Sequence, residues 1–250
     1  MVRTSIFSLL LLCSSIATGS NAIIETNKIA TLVEHADNDH DVMVVCDLDN
    51  TLIELDHHRG NDQWFSAMLE YAQQQGYTLH DAVRIVLPRY FELQKTYPLK
   101  LIEDGTIHLI EYLQRSGRKV MALTSRSLPL KERTVDQLAR LGITFSKMIE
   151  HDESGLHGLE ARYAHGVLFC GSENKGKVLM TFFKQYEHAP KKIIFVDDKH
   201  KYLDAVREHA TLHGIEFFGI RYGGCDHKVD SYVLPEDDKV WLRDQLVQEN

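Results

Sequence analysis

Proline and glycine are sparse, at five and fifteen in 250 residues, and no tract is compositionally biased. That excludes a collagen-like or largely disordered chain. No segment repeats another, so a solenoid or a propeller is excluded as well. Basic runs are missing too: Lys and Arg number 28 against 36 for Asp and Glu, for a net charge of -8. Such a chain is poorly suited to gripping a phosphate backbone, so nucleic acid is not expected as a partner. No apolar run approaches the ~20 residues that span a bilayer. With 44% hydrophobic and 26% charged residues, the remaining class is a globular protein: one large domain, or one domain carrying an insertion.

Residues Met1–Ala22 read as a secretory signal peptide. Arg3 is the positive start, Ile6 to Leu12 the short apolar core, and Ser20-Asn21-Ala22 puts small residues around a cleavage site. The expected mature chain begins at Ile23 and is exported, periplasmic or secreted, with no stable membrane anchor after cleavage. Cys13 leaves with the signal, and Cys46, Cys170 and Cys225 remain. Three thiols allow at most one disulfide. Cys46 and Cys170 lie in or at the end of apolar runs and read as small buried hydrophobes.

Five runs are apolar without alternation: Val42–Cys46, Val120–Leu123, Val167–Cys170, Ile193–Val196 and Phe217–Ile220. That pattern marks strands buried on both faces, the habit of parallel sheets. Helix-period segments lie between most of them, at Thr106–Gln114, at Lys131–Leu141 and along the stripe Val178, Leu179, Phe182, Phe183, Tyr186. The alternation predicts an α/β fold with a doubly wound, Rossmann-like parallel sheet of about five strands. Residues 23–55 and 101–250 form this core. Residues 56–100 interrupt it with two helical segments, Asp62–Gln75 and Leu79–Gln94, the second expected to kink or break at Pro88. An aromatic-rich insertion so placed reads as a small helical cap.

The first strand runs into Asp47-Leu48-Asp49-Asn50-Thr51 and the fourth into Asp197-Asp198. Carboxylates clustered at strand ends are costly unless a cation sits among them. Ligands of open α/β sheets bind outside the carboxyl ends of the strands, where the strand order reverses. If the first and fourth strands flank that reversal, four carboxylates converge on an oxygen-rich site suited to Mg²⁺ rather than zinc. The second strand ends in Thr124-Ser125-Arg126, which offers hydroxyls and a guanidinium to an anionic substrate. Lys175 lies three and four residues before Val178 and Leu179 and shares their inward face, whereas Lys177 falls on the polar face. His209 and His213 have i, i+4 spacing without the glutamate of a metalloprotease motif and read as surface residues. Asp56-His57-His58-Arg59 reads equally as a gate or substrate contact and as a solvated turn.

These residues, in this order, resemble the four motifs of the haloacid dehalogenase (HAD) superfamily of phosphohydrolases. Asp47-Leu48-Asp49-Asn50-Thr51 matches the first motif, Thr124 the second, Lys175 the third and Asp197-Asp198 the fourth; the insertion stands where that superfamily carries a C1-type cap. The sequence is also similar to an exported bacterial HAD-like family of unknown function. The resemblance implies a Mg²⁺-dependent hydrolase of a small phosphorylated substrate, with a phosphotransferase or mutase, or a secreted non-catalytic binding protein, as alternatives. It implies Asp47 as nucleophile, Asp49 as acid and base, and Thr124 and Lys175 as stabilisers of the phosphoryl oxygens, with Ser125 and Arg126 as further phosphate or substrate contacts. The metal would be held by Asp47, the backbone carbonyl of Asp49, and Asp197 and Asp198.

Overall fold

In the computed structural model, residues 21–36 and 41–248 are described. The signal peptide reading therefore lies almost wholly outside the described residues. In chain order the elements begin with β1 (Ala22–Thr26), α1 (Thr31–His35), β2 (Val42–Cys46) and β3 (Ile53–Leu55). The insertion follows, as α2 (Asp62–Gln74) and α3 (Leu79–Thr96), and closes with β4 (Leu99–Leu101). Next come α4 (Thr106–Arg115), β5 (Lys119–Thr124), α5 (Lys131–Leu141) and the short strands β6 (Glu153–Gly155), β7 (Arg162–Ala164) and β8 (Val167–Phe169). The chain ends with α6 (Lys175–Tyr186), β9 (Lys192–Asp197), α7 (His200–Leu212), β10 (Glu216–Tyr222), α8 (Asp226–Asp230) and α9 (Glu236–Gln248).

The sheet has eight strands among the described residues, in the order β1-β10-β9-β2-β5-β8-β7-β6. The first six in that order run parallel, and β7 and β6 add an antiparallel hairpin at one edge. All five apolar runs are strands of the parallel part. Their continuous apolarity follows from burial on both faces. In β2, Val42, Val44 and Cys46 face one core with α4 and α5, while Met43 and Val45 face a second core with α6 and α7. The sheet exceeds the expected five strands because β1 is an edge strand of mixed exposure, and β6 and β7 have three residues each. Elements that short carry no readable period. Cys46, Cys170 and Cys225 are all buried and unbridged.

Chain order fixes where the sheet reverses. From β2 the chain winds outward through β5 to β8, then returns to the other side of β2 as β9 and continues to β10. The reversal lies between β2 and β9, which pair in register with Cys46 opposite Val196. The next residues, Asp47 and Asp197, therefore leave the sheet side by side.

The insertion rises from a two-stranded stem, β3 paired with β4, and builds a third core. Trp64, Met68 and Ala72 of α2 and Ala82 and Val86 of α3 pack there with Leu242 and Leu246 of α9. The helix α9 thus joins the inserted helices, although its residues fall within the 101–250 segment assigned to the α/β core from sequence. Buried Asp238 ties the three helices together. It accepts hydrogen bonds from Trp64 Nε1 at 3.0 Å, Arg59 Nε at 2.8 Å and Arg89 Nη2 at 3.0 Å. Pro88 does not break α3, which runs unbroken from Leu79 to Thr96. The proline sits on the exposed face, while Ala82, Val86 and Gln94 anchor the helix on both sides of it. Tertiary packing outweighs the one backbone bond that proline removes.

The approach of α6 to α7 depends on Gly176, where an added Cβ would lie 2.2 Å from the Ala205 carbonyl oxygen. Backbone cannot yield as a flexible side chain would. Gly176→Ala is expected to cost about 1–3 kcal/mol in urea denaturation, whereas Gly155→Ala, with open space around it, is expected to change stability little.

Candidate active site

The loop after β2 is wound tightly at the end of the central strand. Asp47 N–H donates to the Val196 carbonyl at 2.9 Å, extending the β2–β9 ladder by one bond. The Leu48 carbonyl then accepts from Thr51, Leu52 and Ile53, and Asn50 takes a left-handed φ of 59°, a conformation Asn tolerates better than most residues. Leu48 and Leu52 are fully buried. They anchor the loop and leave Asp47 and Asp49 to project from it. The Thr51 hydroxyl donates to Asp47 Oδ2 at 3.3 Å.

Lys175, the first residue of α6, is buried with its Nζ between two carboxylates. It lies 2.5 Å from Asp47 Oδ1 and 2.8 Å from Asp197 Oδ2, with the Tyr202 ring centroid 4.3 Å away. Asn174 caps the helix by accepting from Lys177 N–H at 3.0 Å, and Lys177 itself is exposed. Burial alone would depress Lys175. The Asp197 and Asp47 carboxylates more than reverse that and hold the ammonium above its usual range.

Asp47, Asp197 and Asp198 form a triad in which one oxygen from each carboxylate lies within 4.8 Å of the other two. Both oxygens of Asp197 are in use, since Oδ1 accepts from Lys199 N–H at 2.8 Å while Oδ2 faces Lys175. Asp198 is less enclosed. Burial pushes Asp47 up to about 7, opposed by Lys175 and helped by Asp197. Burial pushes Asp198 up to about 8, with the Asp47 charge adding to it. A cluster of oxygen donors short of positive charge fits a hard divalent cation such as Mg²⁺.

The other expected site residues occupy different positions. Thr124 is buried at the end of β5, where its hydroxyl accepts from Arg126 N–H at 3.1 Å. Ser125 is half-buried beside it. The Arg126 guanidinium is engaged within the protein, with Nε 2.8 Å from Asp49 Oδ2, Nη2 2.7 Å from Asp49 Oδ1 and Nη1 3.1 Å from Thr134 Oγ1. The side chain of Asp49 therefore turns to Arg126 rather than into the carboxylate triad. Of Asp56-His57-His58-Arg59, His57 stacks on Tyr97 with ring centroids 3.6 Å apart, and Arg59 pairs with Asp237 and Asp238. These two residues join the insertion to its stem and to α9. His213 is exposed, and its ring bonds the His209 carbonyl at 2.8 Å.

Three groups near the site carried no readable signal. Tyr202, in the first turn of α7, lies under Lys175. Lys199, directly after the aspartate pair, reaches Asp62 at the start of α2 at 2.6 Å. Tyr90 of α3 is driven far above its usual range by burial and then by the Asp49 charge. The Lys199–Asp62 contact brings the insertion to the aspartate pair.

The raised values of Asp47 and Asp198 set a pH dependence of stability. Unfolded, both groups titrate near ~3.9, so between that pH and about 7–8 the folded protein binds more protons than the unfolded chain. Stability contributed by these groups is therefore lost as pH rises through that window. Without divalent metal, Tm is expected to fall between pH 6 and pH 8.5, and added Mg²⁺ to raise Tm more at pH 8.5 than at pH 6. Scanning calorimetry at the two pH values checks both.

Comparison with known proteins yields relatives of unassigned activity. A Chlamydia pneumoniae protein named "Putative outer membrane protein" is 28% identical over 179 residues, covering 72% of this chain and 68% of its own. A Chlamydia muridarum protein of the same designation is 25% identical over 237 residues, covering 94% and 90%. An uncharacterized Rickettsia prowazekii protein is 27% identical over 240 residues, covering 90% and 86%. Among solved structures, a haloacid dehalogenase-like family hydrolase from Streptococcus pneumoniae is similar with TM-score 0.43 and 13% identity, over 72% of this chain and 95% of that one. A HAD family enzyme from Bacteroides thetaiotaomicron has TM-score 0.40 and 12% identity, over 71% and 92%. The family described as "Protein of unknown function (DUF2608)" matches residues 23–243. That span runs from β1 into α9 and holds the whole carboxylate cluster, so the chain belongs to this family.

Proposed function

We propose that this protein is a Mg²⁺-dependent phosphomonoester hydrolase of HAD type, acting on a small molecule through an aspartyl-phosphate. The observation that carries the reading is Lys175 Nζ set between Asp47 and Asp197, at 2.5 and 2.8 Å, where the sheet reverses. A nucleophilic carboxylate, a buried cation and two further carboxylates on adjoining strands form a constellation suited to phosphoryl transfer.

Asp47 attacks phosphorus, so that its oxygen forms a bond to phosphorus as the bond to the leaving oxygen breaks. Lys175 and the Thr124 hydroxyl stabilise negative charge on the remaining oxygens. Asp49 supplies the proton to the leaving oxygen and later takes one from the water that hydrolyses the acyl phosphate. Asp47, Asp197 and Asp198, with the Asp49 backbone carbonyl, would hold a divalent cation, which would supply charge neutralisation to this cluster and to the phosphoryl group. Asp198 is the more open member of the aspartate pair, because Asp197 already uses both oxygens. Asp47 is only 6% exposed, and the insertion reaches the site through Asp62 and Lys199. Both features favour a small phosphomonoester over a phosphoprotein.

Export is part of the same reading. It is supported by the signal-like Met1–Ala22 segment and by relatives named as outer membrane proteins. Among the described residues no helix is long and apolar enough to cross a membrane. N-terminal sequencing of the protein recovered from the periplasm or the medium is expected to read from Ile23.

Turnover of an aryl phosphate tests the catalytic roles of these residues. Asp47→Asn is expected to abolish turnover with its far-UV spectrum unchanged, since the change is nearly isosteric. Lys175→Ala is expected to lower kcat by ~10²–10³-fold, and Lys177→Ala, on the exposed face, to stay within about threefold. EDTA should remove activity and Mg²⁺ restore it better than Zn²⁺ does. An enzyme indifferent to chelator, or full activity in Asp47→Asn, would refute the mechanism.

A further inference from the structure

The Arg126–Asp49 pair has a geometry that a phosphate-binding arginine does not need. Both carboxylate oxygens of Asp49 are taken by one guanidinium fork, at 2.8 and 2.7 Å, and the third side of the guanidinium is held by Thr134 Oγ1 at 3.1 Å. Arg126 is 4% exposed, and Thr134, on α5, is fully buried. The Arg126 backbone is fixed as well, because its N–H donates to the Thr124 hydroxyl at 3.1 Å. The arginine is thus clamped at both ends before any substrate arrives.

The position of Asp49 has the complementary property. Its backbone is set by the loop after β2, through the Asn50–Ile53 bond and the carbonyl of Leu48. Its side chain forms no hydrogen bond to that loop among the described residues; its partner is Arg126, 77 positions away. A bidentate arginine–carboxylate pair fixes the plane as well as the position of the carboxylate. We propose that Arg126 is a positioning residue that acts on the reaction through Asp49, aiming its carboxylate, and is not a contact to the phosphoryl group. This rests on the phosphatase reading above and replaces the substrate-binding role expected for Arg126 from the sequence. Thr134 belongs to the same device, as the post that keeps the guanidinium plane from rotating.

A double-mutant cycle with an aryl phosphate tests it, alongside the binding of orthovanadate in the presence of Mg²⁺. Arg126→Ala is expected to lower kcat by ~10²-fold, the scale of a misplaced catalytic group, with KM and vanadate affinity within threefold. In an Asp49→Ala background the same substitution is expected to cost nothing further, because the group it aims is gone. Arg126→Lys keeps the charge without the fork and is expected to lose kcat at least tenfold, also with unchanged KM. If Arg126→Ala does not fold, the Lys variant and the double variant, which removes both members of the ion pair together, decide the matter. A tenfold or greater rise in KM or in the vanadate Kd, or losses that multiply in the double variant, would overturn the proposal. A wild-type protein that turns over no phosphomonoester counts instead against the hydrolase reading, and the vanadate comparison still decides whether Arg126 touches the anion.

Discussion

A buried ammonium holds two strand ends together at the centre of this protein. Adjacent strands lie about 4.8 Å apart, so the in-register pairing of β2 with β9 forces Asp47 and Asp197 into proximity away from bulk water. Their repulsion is tolerable only because Lys175 Nζ sits between them. That placement depends on further choices. Asn174 begins α6 at the right residue, Gly176 lets α6 lie against α7 at backbone distance, and the Tyr202 ring closes over the ammonium. With Asp198 included, three carboxylates gather around one buried ammonium that pairs with two of them, an oxygen-rich cluster that could hold a divalent cation.

The helical insertion is joined to this centre by polar links and to the rest of the chain by an apolar core. Lys199 reaches Asp62 directly beside the aspartate pair. Farther out, Asp238 draws α9 onto α2 and α3 by accepting from an indole and two guanidinium groups. A fully buried carboxylate would be costly alone, and three donors satisfy it. Most aromatic residues of the insertion pack: Phe65 meets Tyr90 with ring centroids 4.8 Å apart, and Trp64 is wholly enclosed.

The sequence was most legible where one physical pattern dominated. Strands buried on both faces announced themselves as unbroken apolar runs, and α5 begins and ends where its periodicity does. The helix phase that separated Lys175 from Lys177 needed only the angular step of an α-helix. Three-residue strands such as β6 and β7 are too short to show a period. Pro88 does not break its helix, because contacts on both sides of the proline anchor α3.

The sequence by itself determined the alternation of strands and helices, the order of the acidic motifs, the lysine that faces inward and the place of the insertion. Each rests on segments that can be read one at a time from neighbouring residues, where periodicity and strand-end chemistry act. Tertiary structure alone decided which charges pair. Nothing local joins Arg126 to Asp49, Lys199 to Asp62 or Asp238 to Trp64, because those partners lie 77, 137 and 174 positions apart. An ion pair is chosen by which groups the packed sheet and helices bring within about 3 Å, and that distance exists only once the chain has folded.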